Sequence, residues 1–295
     1  MIAFGASITM PDVYALRARP GIERAAEADS RVFPMQASGS LPRTYNLVLE
    51  LAAASDDLEA LVLLHQDAEI VDPEFCAKVR AALDDPAVGV AGTVGSTGAP
   101  GLGWWTGRVA PSSSVVRYGE SGGGERPAAP HDDAVAAAPP VVEVETLYGV
   151  VLVLSPWAVR ELRFDEGLHE TLGYDFDLCA QVRAAGRKVV TADLRVAHHH
   201  ALELVGDAEA WADVHAQVAE KWDPGDGLTE DEWRERARRA EAAAAAAQLD
   251  LSSRRLQADA RGIVEQEALR HVEHSASWRL TRPLRRARRA GRRAP

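Results

Sequence analysis

Ala60-Leu61-Val62-Leu63-Leu64-His65-Gln66-Asp67 is the stretch whose reading decides the fold. Five apolar residues are followed at once by three polar ones. An uninterrupted apolar run of this length, ended by a turn signal, suits a strand buried on both faces of a parallel sheet. Asp72-Pro73 then reads as a helix N-cap and first-turn proline, opening a helix over 74–83. His65, Gln66 and Asp67 therefore fall at the carboxyl end of a central strand, where open α/β sheets bind their ligands.

The flanking sequence repeats the alternation of strand and helix. Ile2 to Ile8 reads as a first strand, with Gly5-Ala6-Ser7 small enough for a ligand to approach the backbone. Residues 11–28 read as helix, interrupted at Arg19-Pro20-Gly21. A strand over 31–36 and a helix over 43–51 follow, so crossovers are right-handed and the sheet mostly parallel. Val88 to Ala91 adds another strand. Between Gly92 and Pro140 the composition turns to Gly, Pro, Ser and Ala, around Trp104-Trp105 and Ser121-Gly122-Gly123-Gly124, and a long functional loop is expected. Strands over 141–147 and 149–154 come next, then a short helix capped by Ser155-Pro156. Tyr174 to Gly186 is a helix, Val189 to Ala192 a strand, and Val196-Ala197 runs into His198-His199-His200. A helix over 207–221 closes the globular pattern. The expected architecture is one α/β domain over 1–225 and a helical, Arg-rich extension over 226–295.

At 46% hydrophobic and 26% charged residues, this is the composition of an ordinary globular chain. No run approaches the ~20 apolar residues of a membrane span. The opening Met1–Ala6 has no basic region, so no signal peptide is expected. Cys76 and Cys179 both fall in predicted helices and read as small core residues in a reducing cytoplasm. Net charge is −11, with eight arginines and no acid from Arg279 to Arg293, which leaves residues 1–278 at −19. An acidic body excludes nucleic acid as the main ligand. The basic tail suits either a solubilising end or peripheral contact with anionic lipid at the inner membrane face.

Several residues have the chemistry of a site. A carboxylate such as Asp67 at a strand end can hold Mg²⁺ or Mn²⁺ together with phosphate oxygens, although aspartate also serves simply as a turn residue there. Asp175 and Asp177 stand two apart on a helix and so point in different directions. One could act as a general base while the other serves the helix N-terminus. In a strand His199 faces one side and His198 with His200 the other, so one imidazole could join Asp67 on a cation. Trp104 and Trp105 could stack on a sugar or plug an apolar gap. Arg43 and His169 are weaker candidates.

These pieces together resemble a known arrangement. His65-Gln66-Asp67, Tyr45-Asn46, Phe164-Asp165-Glu166, Tyr174-Asp175-Phe176-Asp177-Leu178, Arg183-Ala184-Ala185-Gly186 and His198-His199 stand as in the family-2 glycosyltransferases of GT-A fold. The similarity is to the streptomycin-biosynthesis glycosyltransferase-like branch and spans roughly residues 2–222. The resemblance implies an inverting, metal-dependent transferase moving a sugar from a nucleotide-diphosphate sugar to an acceptor hydroxyl, sugar or lipid-linked, in cell-surface polysaccharide or secondary-metabolite glycosylation. It implies Asp67 as the metal ligand on the diphosphate and Asp175 as the base. His199, ahead of His198, is implied as the late histidine of the metal shell. Ser7, Asn46, Trp104, Trp105, Tyr174 and Asp177 are implied as donor or acceptor contacts. His65 stands where the family has the first aspartate of its DxD motif, and Tyr174 where it has the glutamate before the base. Two rival readings are a nucleotide-sugar-binding module without catalysis, and a metal-dependent hydrolase built on His198–His200.

Overall fold

The computed structural model describes residues 1–37, 39–98, 108–110, 115–118, 124–125, 141–199 and 208–222, with isolated positions between 229 and 239. Trp104, Trp105, His200 and the arginine-rich tail lie outside the described residues.

Seven strands form the main sheet. In chain order they are β1 (Ile2–Ile8), β2 (Arg31–Gln36), β3 (Ala60–Leu64), β5 (Val88–Gly92), β10 (Val141–Val144), β12 (Val151–Leu154) and β13 (Lys188–Ala192). Their spatial order is β10-β13-β5-β12-β3-β1-β2. β2, β1, β3, β5 and β13 run one way; β12, between β3 and β5, and β10 at the edge run the other. The expected mostly parallel α/β sheet is present, with one antiparallel strand in its centre. Five consecutive buried residues in β3 and four in β12 explain why both read as core. An apolar run carries no sign of direction.

Both sheet faces are covered. Phe4, Val62, Leu64, Val151 and Val153 pack on one side with Tyr14, Ile22, Phe75, Val79 and Trp211 from helices. Ala3, Leu61, Leu63, Leu152 and Leu154 pack on the other with Tyr45, Val48, Leu178 and Val182. The alternation of neighbours along each strand divides the core into these two layers. Gly5 is required by this packing, since a Cβ there would fall 2.5 Å from Val48 Cγ1. The first helical stretch breaks at Arg17 and not at Arg19-Pro20-Gly21: Pro11–Leu16 and Ala18–Ala25 are separate helices. Proline is tolerated in the first turn of the second one. Gly21 lets that helix lie against the backbone at Ile70.

After Asp67 the chain forms a short strand, β4 (Ala68–Ile70), before the helix Phe75–Ala82. Asp72 caps the approach to that helix, accepting from Glu74 N at 2.9 Å. β4 pairs antiparallel with β14 (Val196–His198), in a second sheet that continues into β8 (Val115–Tyr118) and β9 (Gly124–Glu125). The pairing of His198 with Ala68 brings this histidine to the end of β3. A third sheet joins β11 (Thr146–Leu147), β6 (Gly95–Thr97) and β7 (Arg108–Val109). Cys76 and Cys179 are buried in helices, as expected of core residues. Among the described residues, no helix is long and apolar enough to cross a membrane.

Candidate active site

The carboxyl end of β3 is where the predicted residues gather. His65, Asp67 and His198 each offer a ligand atom, and these atoms lie within 4.8 Å of one another. His198 Nε2 stands 3.3 Å from Asp67 Oδ1, with both residues buried. The pairing of β14 with β4 sets this up, extended by His199 N donating to Asp67 O at 2.9 Å. Of the two histidines it is His198, and not the expected His199, that joins Asp67. His199 turns to the other side of the strand, where Nε2 meets Glu69 Oε2 at 2.9 Å. Glu69 also accepts from Arg24 at 2.6 Å. Burial works to raise the Glu69 pKa, but the hydrogen bonds from Arg24 and His199 outweigh it and hold the carboxyl below its usual range. His198 and His199 thus lie on opposite sides, with Asp67 on the side of His198.

Asp175 opens the helix Tyr174–Ala184 and is 8% exposed. Its Oδ2 accepts from Gly149 N at 2.8 Å and its Oδ1 from Phe176 N at 3.0 Å. Burial pushes its pKa up to about 6, with the backbone N–H groups of Gly149, Phe176 and Asp175 itself opposing that shift. A carboxylate has about four lone-pair sites, so capacity for a further donor remains. Asp175 thus has the basicity and the free acceptor sites of a general base.

Tyr174 ties the helix to β3. Its hydroxyl donates to Gly149 O at 3.0 Å and lies 2.7 Å from His65 Nε2. The ring packs among Tyr45 and Phe164 at centroid distances of 6.0 and 6.1 Å. Tyr45 Oη is buried and makes no hydrogen bond among the described residues. Burial, then the charges of Asp67 and Asp175, raise its pKa, so the hydroxyl lies within the field of both carboxylates.

Three expected contacts hold structure. Gln66 Oε1 accepts from Thr9 N and Met10 N at 2.9 and 2.8 Å, fastening the end of β1. Asn46 clamps Phe164, donating to its carbonyl at 3.0 Å and accepting from its N–H at 2.9 Å. Asp177 is fully buried. It accepts from Trp222 Nε1 at 2.7 Å, Lys221 Nζ at 2.8 Å and Gln181 Nε2 at 2.7 Å, which locks the helix Ala208–Trp222 in place. Asp177 and Asn46 are therefore anchors, with their polar atoms already engaged by protein. Ser7 is buried at the carboxyl end of β1, beside β3. Asp177→Ala is expected to cost about 1–3 kcal/mol, the scale for leaving donors such as Trp222 Nε1 without their acceptor. Thermal unfolding checks it; an unchanged Tm with a raised KM for donor or acceptor would restore Asp177 as a contact.

Tyr148 and Gly149 are the site residues that the sequence reading passed over. Tyr148 Oη lies 3.2 Å from His198 Nδ1. Gly149 supplies both the N–H on Asp175 and the carbonyl on Tyr174. Their signal was a Tyr-Gly pair between two apolar runs, which reads as an ordinary turn.

The fold and this cluster define an α/β protein with a carboxylate–histidine cluster at the strand ends. A model of the glycosyltransferase-like family matches residues 15–212, and the chain belongs to that family, a family-2-like group. It is similar to the streptomycin biosynthesis protein StrF of Streptomyces griseus, at 32% identity over 202 residues. That match covers 68% of this chain and 66% of StrF, just under two thirds of the relative's length. Among solved structures, GalNAc-T7 with UDP, GalNAc and Mn²⁺ aligns at a TM-score of 0.48 and 12% identity, over 81% of this chain and 54% of that one. The mannosyltransferase PcManGT of Pyrobaculum calidifontis, in complex with GDP-Man and Mn²⁺, aligns at 0.46 and 13%, over 95% and 82%. Scores this low carry no argument, and the family assignment rests on the family model and StrF.

Proposed function

We propose that this chain is an inverting glycosyltransferase that uses a nucleotide-diphosphate sugar and a divalent cation held by Asp67, His198 and His65. The supporting observation is the convergence of these three ligand atoms, with Asp175 one residue from the tyrosine that touches His65. The donor set fits such an ion: one carboxylate and two imidazoles, clustered at a strand end. Two nitrogen donors favour Mn²⁺ over Mg²⁺, which prefers an all-oxygen octahedron. Bound there, the cation would supply positive charge to the diphosphate leaving group.

The chain's own residues do the rest. Asp175 accepts the proton of the acceptor hydroxyl, whose oxygen forms the new bond to the anomeric carbon. The bond from that carbon to the diphosphate breaks, and the nucleoside diphosphate leaves with the electron pair. A single in-line displacement inverts the anomeric centre. The Gly149 and Phe176 N–H groups hold the Asp175 carboxylate facing its task. The acceptor is a sugar or lipid-linked hydroxyl, and the setting is cytoplasmic.

Calorimetric titration of a nucleotide-diphosphate sugar tests the metal half of this reading. Chelation, or Asp67→Ala, should weaken donor binding at least tenfold, a loss of about 1.4 kcal/mol. Unchanged affinity in both would remove the cation from the reading.

A further inference from the structure

The two places where the sequence departs from its family's motifs touch each other. His65 replaces a carboxylate of the DxD pattern, Tyr174 replaces the acid before the base, and Tyr174 Oη lies 2.7 Å from His65 Nε2. Across the cluster a second tyrosine does the same for the second histidine, Tyr148 Oη lying 3.2 Å from His198 Nδ1. Each imidazole thus has one ring nitrogen on a tyrosine hydroxyl, and both rings converge on Asp67.

We infer that Tyr174 and Tyr148 are a matched pair of positioning residues that set which nitrogen of His65 and of His198 faces a bound cation. The inference rests on the metal site proposed above. Its logic is a count of protons. A tyrosine hydroxyl has one, and Gly149 O, 3.0 Å from Tyr174 Oη, can only accept. With that proton given to Gly149, Tyr174 can only accept from His65. His65 then carries hydrogen on Nε2 and presents the lone pair of Nδ1. For His198 the contact at Nδ1 leaves Nε2, the nitrogen 3.3 Å from Asp67 Oδ1, as the ligand atom. Histidine ligands are commonly held this way through their second ring nitrogen, and loss of the outer partner typically costs 10–100-fold in metal affinity. Tyr174 is well suited to the task, since it is buried and its ring is fixed by Tyr45 and Phe164.

The test uses the full chain. Mn²⁺ binding, followed by electron paramagnetic resonance, should be about 10–100-fold weaker in Tyr174→Phe and in Tyr148→Phe than in the wild type. Nitrogen-15 spectra of the metal-free wild type should show His65 protonated at Nε2. With Zn²⁺ as a diamagnetic probe, coordination should go through His65 Nδ1 and His198 Nε2. Equal Mn²⁺ affinity in both variants, or coordination through the opposite nitrogens, would overturn the inference and leave the metal site standing. A wild type that takes up no Mn²⁺ would overturn the site itself, and the inference with it. If the variants fail to fold, the wild-type spectra still decide.

Discussion

Asp175→Asn is expected to lower the transfer rate by about 10²–10⁴-fold, the scale of a lost general base, with nucleotide-sugar affinity unchanged. Asparagine keeps the size of the side chain and can still accept one of the two backbone N–H groups, so the helix start survives. What it cannot do is take a proton from an acceptor hydroxyl. The same carboxylate gives a pH signature. Its pKa sits at about 6, so kcat/KM should fall roughly tenfold per unit below that edge, and the edge should be absent from residual activity in the variant. Stability carries the matching sign. A carboxyl raised in the folded state binds its proton more tightly there than in the unfolded chain. The advantage is fully present at low pH and is lost as pH rises from about 3.8 through about 6. Transfer by Asp175→Asn at the wild-type rate, with matched donor and acceptor, would end its assignment as base.

How much of this was legible beforehand depends on the kind of information each feature needed. β3 and its polar end were readable because burial on both faces demands an unbroken apolar run, and the run stops where the sheet stops. The helix start at Ser155 was readable because a side-chain cap is local chemistry, whereas the helix expected over 43–51 starts two residues earlier, at Leu41, behind a Ser40 cap. The direction of β12 was not, since its pairing with β3 and β5 is decided by the chain's route and not by its four residues. The side of each histidine was hidden for a related reason: alternation says that His198 and His199 face opposite sides, and only register with β4 says which side holds Asp67. Motif position also proved a poor guide to where a side chain's hydrogen bonds go. Gln66 sits between two members of the cluster yet reaches back to Thr9 and Met10, and Asp177, two residues from Asp175, is spent on Lys221 and Trp222. Tyr148 and Gly149 left only the signal of a turn, because their partners lie 50 and 26 positions away.

That last glycine carries the second large prediction. Gly149→Ala should abolish transfer and lower stability by about 1–3 kcal/mol, the usual cost of forcing extra volume into a packed site. A Cβ at this position would meet the Tyr174 hydroxyl and fall 2.6 Å from Tyr174 Cζ. The ring cannot swing away, because Tyr174 is buried between Tyr45 and Phe164. Either the ring or the backbone at 149 must move, and each movement breaks something the site uses. Moving the ring separates Tyr174 from His65, while moving the backbone takes the N–H from Asp175 and the carbonyl from Tyr174. The double variant with Tyr174→Phe separates crowding from chemistry. Deleting the oxygen that the new methyl strikes should return part of the lost stability, a coupling readable in a double-mutant cycle of thermal unfolding. It should not return Mn²⁺ affinity, since phenylalanine has no atom to accept from His65. A Gly149→Ala protein with wild-type Tm and rate would show that the turn has room to give, and that Asp175 does not depend on the N–H it now receives from residue 149.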